Sequence, residues 1–351
     1  MDKKFLKEII NTPSPSGGEY ILQRKIKEYM KEYSDNQISD DQGDLINIIN
    51  ENSSYKILLA SHCDEISLIV DGYNSDGTLK VSANGGVSAS IYLGSHVDVV
   101  LEDDIIHGVV GTNHSLDKKG DLKAHDLFVD IGLNLKETKK LVPLGTYIVH
   151  SSGLYNLKNN FFSARALDDR LGVFITQSAL IKAKEKGAKV GVYAASTVGE
   201  ETTMRGAYYV SSKIKPNFAI VVDVTYSSDY IGSDVRCDID VGKGGVICHG
   251  SLPNKKLNKL LKETAKKLNL PIQEEVWPAR TCTDADTIIK TNEGTPIILF
   301  SIPLRYMHSP VEVASYKDVE SMIEILSEFI LDIEKLMNQN NQNGYLDLSS
   351  I

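Results

Sequence analysis

Apolar residues near the carboxyl end recur at steps of three, three and one: Tyr316, Val319, Met322, Ile323, Leu326, Phe329, Ile330, Ile333, Leu336 and Met337. A 3.6-residue period collects them on one stripe, which predicts a long helix with a single buried face. Shorter stripes predict helices over Tyr20 to Tyr33, Leu171 to Lys184 and Leu257 to Leu268, the last with Asn254 as N-cap. Between them lie the apolar runs "KILLASH", "VGVYAASTVGEE", "NFAIVVDVT", "GGVICHG" and "TPIILFSIP", short and rich in Val and Ile, as buried strands are. Alternating strands and helices predict an α/β layer structure with a mostly parallel central sheet and helices on both faces. From 66 to 157 the pattern changes to Gly, Val, Thr, Asp and Asn with turn signals such as "DGYNSDGT" and "GTNHS" about every ten residues. That segment reads as a small all-β barrel or sandwich inserted into the α/β domain, which resumes at "FFSARALDDR". The division expected is therefore 1–65 and 158–337 for the α/β domain, 66–157 for the insert, and 338–351 for a mobile polar tail.

Composition sharpens this picture mainly by exclusion. A chain of 351 residues, 42% hydrophobic and 24% charged, has the balance of a globular protein of about two domains. Its net charge of −9 and the lack of a basic run beyond Lys-Lys pairs leave no surface for neutralising phosphates, so nucleic acid is not an expected partner. The four scattered cysteines, Cys63, Cys237, Cys248 and Cys282, form no CxxC pair and fit a reducing cytoplasm. "MDKKFLKEIINTPSPSGGE" is a short periodic helix without the apolar core of a signal peptide, and no apolar stretch nears the ~20 residues of a membrane span.

Five places carry ligand-type side chains, most of them where an apolar run ends: His62 and Asp64 in "LLASHCDE", Asp168 and Asp169 in "ARALDDR", Glu200 and Glu201 in "STVGEE", Asp223 in "IVVDVT", and His308 in "LRYMHSP". Each has a plainer reading: a strand-end His as a structural hydrogen-bonding group, "EE" as a solvated pair, "DD" as a helix N-cap. Asp223 is harder to explain away, because a carboxylate inside an apolar strand is costly to bury unpaired. The carboxyl ends of parallel strands share one edge of a sheet, where all five places can meet. Two imidazoles and at least three carboxylates suit zinc, or cobalt or manganese, and suffice for two ions about 3.5 to 4 Å apart sharing one carboxylate.

The ordered set "SHCDE", "ARALDDR", "TVGEE" with "RGA", "VVDVT", "CTDADT" and "SIPLRYMHSP" resembles the tetrahedral (TET) aminopeptidases, dinuclear metallopeptidases that include glutamyl and deblocking aminopeptidases and proteins labelled endoglucanase. The resemblance spans nearly the whole chain. It implies a dinuclear zinc peptidase-like domain interrupted by a β-barrel dimerisation domain, and removal of N-terminal residues from peptides. It also implies that His62 and Asp223 hold one divalent cation (zinc or cobalt), that Glu201 and His308 hold a second, and that Asp168 bridges them. Asp64 would orient the His62 ring, and Glu200 would be the general base and acid. A cis Asp168–Asp169 peptide and self-association to dimers and possibly dodecamers are implied in the same way.

The chain departs from that family at Gly199, where Gln is usual, and at Cys282 and Asp286, where Gly is usual. Asp286 raises the expectation of a preference for basic N-terminal residues, while packing is the expected role of Cys63 and Cys282. Two rivals stand beside this reading: a glycoside hydrolase using an acid pair, and a non-catalytic assembly protein retaining the fold. The first leaves His62 and His308 without a role and has a single tryptophan, Trp277, to stack on sugars.

Overall fold

The computed structural model describes residues 1–102, 104–151, 153–233, 237–339 and 348. Its main sheet has eight strands in the order Asn36–Ser39, Leu45–Ile49, Gly191–Thr197, Lys56–His62, Phe218–Tyr226, Ile297–Leu304, Gly245–Gly250 and Ile272–Trp277. The four central strands, Gly191–Thr197 through Ile297–Leu304, run parallel, so Thr197, His62, Tyr226 and Leu304 close one edge. Both faces of these strands are buried, which explains why they read as unbroken apolar runs.

Side chains of successive strand residues point to opposite faces, and the two faces have separate cores. Ile57, Leu59, Phe218, Ile220 and Val222 join the larger core beneath helices Lys3–Asn11, Tyr20–Met30, Leu167–Glu185, Lys255–Lys267 and Tyr316–Gln339. Leu58, Ala60, Ala219 and Val221 join the smaller core under helix Arg205–Ile214. His62 and Asp223 continue this second register, so both project to the side of the smaller core. The last helix begins at Tyr316, as its stripe predicts, and Asn254 caps the Lys255–Lys267 helix through the amides of Lys256 and Leu257. Most of the polar tail lies outside the described residues.

Strands Ser67–Tyr73, Leu79–Asn84, Phe128–Asp130, Ile105–Val110, His96–Val100 and Tyr147–His150 form a closed antiparallel barrel. Closure leaves no unpaired edge, and Leu68, Val70, Val81, Val97, Val99, Val129 and Ile148 fill the interior. The barrel is thus a third core, independent of the sheet. No described helix is long and apolar enough to cross a membrane.

Sequence reading missed three features. Helix Arg205–Ile214 was not expected, and neither was the small sheet of Tyr155–Asn156, Phe161–Ala164 and Glu312–Ser315. Strand Ile272–Trp277 was also missed, because it lies at a sheet edge and mixes polar with apolar residues.

Candidate metal centre

His62 is the last residue of its strand, Glu200 and Glu201 follow the end of Gly191–Thr197, Asp223 lies in the carboxyl-terminal half of strand Phe218–Tyr226, and His308 follows Leu304. Asp168 and Asp169 come from elsewhere, at the non-helical opening of the helix Leu167–Glu185. The peptide between them is cis. The structure brings these residues together in two groups, His62 with Asp169 and Asp223, and Asp168 with Glu201 and His308, whose ligand atoms lie within 4.8 Å of one another in each group.

Asp168 faces both imidazoles. Its Oδ1 is 3.1 Å from His62 Nε2 and its Oδ2 is 3.1 Å from His308 Nε2. Asp223 Oδ1 lies 3.8 Å and Glu200 Oε2 4.0 Å from His62 Nε2, while Glu201 Oε1 lies 3.6 Å from His308 Nε2. His62 Nδ1 is 3.2 Å from the Asp64 carbonyl oxygen and 3.5 Å from its carboxylate. Donation from Nδ1 to Asp64 would leave Nε2 available as a ligand once the hydrogen it shares with Asp168 is displaced by a cation.

Asp64 does more than orient this ring. Its carboxylate accepts hydrogen bonds from the amides of Glu200 at 3.0 Å and Glu201 at 3.2 Å, so one buried acid ties the two glutamates to His62. The loop they occupy turns at Gly199, with φ of +67°. The Arg205 guanidinium fills the space where a side chain at 199 would begin. A side chain at 199 would meet a strained positive-φ backbone and would require the Arg205 guanidinium to swing aside.

Asp169 combines two readings that the sequence left as alternatives. Its Oδ1 accepts from the Gly172 amide at 3.1 Å, as an N-cap does, while its Oδ2 is buried without a partner beside His62 and Asp223. Sequence reasoning also missed Glu312, whose Oε1 accepts from the His308 amide at 2.8 Å and whose Oε2 accepts from the amides of Leu167 and Asp168. An acid in the run "VEVAS" carried the signal used for Asp223. Asp284 was missed as well: it accepts from the Thr197 hydroxyl at 2.6 Å, and its other oxygen is buried and unpartnered. Asp286, by contrast, takes hydrogen bonds from Thr281, Cys282 and Arg280, so both its oxygens are committed to that loop.

The charge balance is lopsided. Burial pushes Glu200 up to about 10 and Glu201 and Asp223 up to about 8, with neighbouring acids adding to the shift and His62 opposing it. Burial alone would lower His308, but Asp168 and Glu201 outweigh it and bring the ring up to about 10. Asp168 is the exception: burial raises it, yet hydrogen bonds to His308 and His62 hold it well below the usual carboxylate range. Two imidazoles cannot neutralise this many buried carboxylates. Divalent cations can, and an orphaned Asp169 oxygen beside oxygen and nitrogen donors fits them. No cysteine belongs to either group among the described residues; Cys63 packs fully buried in the larger core. Backbone strain collects around the site too, with positive φ at Ala166, Met204, Cys282, Tyr306 and His308.

Residues 43–325 match the family of M42 glutamyl aminopeptidases, which is more than half of the chain. The chain belongs to that family. Its members are metallopeptidases, and the chain is accordingly an aminopeptidase-type peptide hydrolase. Among curated proteins it is 34% identical to a putative aminopeptidase of Acetivibrio thermocellus over 93% of this chain and 97% of that one. A TET aminopeptidase of a marine sediment Thaumarchaeota archaeon superposes with a TM-score of 0.87 at 29% identity, covering 93% and 95% of the two chains. The Pyrococcus horikoshii TET1 peptidase, described as assembling into a tetrahedron or a large octahedral shell, gives a TM-score of 0.81 at 27% identity over 93% and 98%. M42 membership favours peptide hydrolysis over the glycoside hydrolase alternative.

Proposed function

We propose that this M42 protein is a metal-dependent aminopeptidase that removes N-terminal residues from peptides, with two divalent cations held by His62, Asp168, Glu201, Asp223 and His308. The observation that carries the reading is the Asp168 carboxylate, which presents one oxygen to each imidazole at 3.1 Å. In this arrangement His62 and Asp223 would hold one cation and Glu201 and His308 the other, with Asp168 placed between the two imidazoles; Asp169 lies close enough to His62 and Asp223 to add a further oxygen. Zinc or cobalt suits these donors and, when bound, makes the attacking water more acidic and the peptide carbonyl more electrophilic.

Glu200 is left for proton transfer. It takes one proton as the water oxygen bonds to the carbonyl carbon, and returns it to the leaving nitrogen as the C–N bond breaks. Asp64 holds the backbone of Glu200 and the ring of His62 in fixed relation throughout. The surrounding acids attract the free α-amine of a peptide, which restricts cleavage to the first residue.

Chelation is the direct test. Treatment with a strong chelator should remove at least 95% of aminoacyl-p-nitroanilide hydrolysis, roughly the loss expected when metal catalysis disappears, and zinc or cobalt should restore it with about two ions per chain. Full activity in the chelated protein would overturn the reading.

We also infer self-association through the barrel, to dimers and then to a closed particle like those of the TET relatives. The barrel exposes Ile105 and Val109, and the adjoining segment exposes Leu141 and Leu144. Light scattering should then give a mass near twelve chains, with dimers on dissociation; a monomer at micromolar concentration would sink the idea. Four unpaired cysteines support placement in the cytoplasm.

A further inference from the structure

The small three-stranded sheet joins two turns that are distant in sequence. Its central strand Phe161–Ala164 runs into the turn that carries Asp168, and its strand Glu312–Ser315 leaves the loop that carries His308. Antiparallel register sets Ala164 opposite Glu312. The His308 loop is itself closed by paired backbone hydrogen bonds between Arg305 and Val313. Glu312 therefore stands where the two turns meet, and it is only 1% exposed.

Its two carboxyl oxygens are divided between those turns. Oε1 accepts from the His308 amide at 2.8 Å, while Oε2 accepts from the amides of Leu167 at 2.7 Å and Asp168 at 3.3 Å, across 145 residues of sequence in the case of Leu167. Both turns need such a hold. Ala166, Tyr306 and His308 have φ of +52°, +60° and +61°, a left-handed region that is strained for residues other than glycine and persists only where surrounding structure enforces it. His62 and Asp223, by contrast, lie within strands of the main sheet, which fixes their backbone without help.

We infer that Glu312 is a positioning residue for the second cation site: by holding the backbone at Asp168 and His308 together, it sets the separation of their side chains before a cation binds. This rests on the two-metal reading above and extends it to a residue outside the ligand set. Asp168 Oδ2 and His308 Nε2 already converge to 3.1 Å. Gln is the discriminating substitution, because it is nearly isosteric but keeps one acceptor oxygen and puts an NH2 group where the other faced an N–H donor. It can hold one turn and not both.

Titration of the metal-free protein with cobalt, followed by calorimetry and visible absorption, reads this without turnover. Wild type should bind two ions per chain. In Glu312→Gln the first ion should bind within about threefold of wild type and the second about 10 to 100-fold more weakly, the usual effect of losing a group that orients a ligand, with the absorption of the second ion altered. Amide hydrogen exchange supplies a measurement on wild type itself: in the metal-free protein the Leu167 and His308 amides should already be protected, and one of the two should exchange faster in Glu312→Gln. Wild-type affinity for both ions in Glu312→Gln, an equal loss at both sites, or rapid exchange of these amides in metal-free wild type would overturn the inference. Fewer than two ions bound by wild type would instead remove the two-metal reading, and the exchange result would still decide separately whether Glu312 holds both turns.

Discussion

Glu200→Gln should lower kcat on aminoacyl-p-nitroanilides by about 10² to 10⁴-fold, the range of a lost general base, while the protein keeps both metal equivalents. The substitution retains size and the backbone bond from the Glu200 amide to Asp64, so the loop that positions Glu201 should survive. Glu200 lies 4.0 Å from His62 Nε2, beside the candidate metal centre, yet belongs to neither group of candidate ligands. Burial and neighbouring acids push its carboxyl up to about 10, so in the metal-free protein it holds a proton; nearby divalent charge is what favours the carboxylate that can accept one. Glu201→Gln should behave differently, losing metal along with activity. Equal turnover in Glu200→Gln and wild type would eliminate the assigned role, and an inactive but metal-replete wild type would favour the non-catalytic assembly alternative.

Glu65→Ala should destabilise the fold by about 3 to 5 kcal/mol, because it strands two buried arginines. Arg170 is 0% and Arg165 3% exposed, and each pairs with a different oxygen of Glu65. Arg170 also donates to the carbonyls of Ile9 and Ile10, and Glu65 accepts from the Ser14 amide at 2.9 Å. One carboxylate thereby joins the amino-terminal helix, the segment after strand Lys56–His62 and the helix that carries Asp168. With an unfolding entropy of about 2.1 cal/mol/K per residue, a chain of 351 residues shifts by roughly 1.4 °C per kcal/mol, so the thermal midpoint should fall by about 4 to 7 °C. A shift below about 2 °C would count against the network. Replacing all three residues by methionine should recover much of the loss, since no charge is then left unpaired.

The same carboxylate contributes to acid sensitivity. Burial raises Glu65, but Arg165 and Arg170 outweigh it and hold the carboxyl below its ordinary 4.5. A depressed carboxylate stabilises the folded protein fully above its unfolded value, and this contribution is lost as pH falls through the folded value. The stability difference between wild type and Glu65→Ala should therefore shrink as pH drops below about 4.5.

"SHCDE" shows where sequence reasoning reaches and where it stops. His62, Asp64 and Glu65 are three polar residues at the end of an apolar strand, and their presence together signals a site. Only the fold shows that Asp64 turns to the Glu200 and Glu201 amides while Glu65 turns away to two arginines. Asp168 and Asp169 give a similar lesson. As a pair they fit a helix cap or a ligand; in the structure Asp169 caps the helix and Asp168 faces both imidazoles.

Glu312 was readable by the argument applied to Asp223, an acid among apolar neighbours. Which backbone it holds was not, because that depends on strand register, and register is fixed by the pairing of Ala164 with Glu312. Asp286 failed because, although close in sequence to the site, it is tied into its own loop.

The sequence by itself determined the alternating layers, the inserted β segment and the supply of imidazoles and carboxylates, because periodicity and residue chemistry are local properties. Tertiary structure alone decided which carboxylates face one another, which acid lacks a partner and which glycine must turn. Those depend on how strands 100 or more residues apart in sequence pair, and no local pattern encodes that pairing.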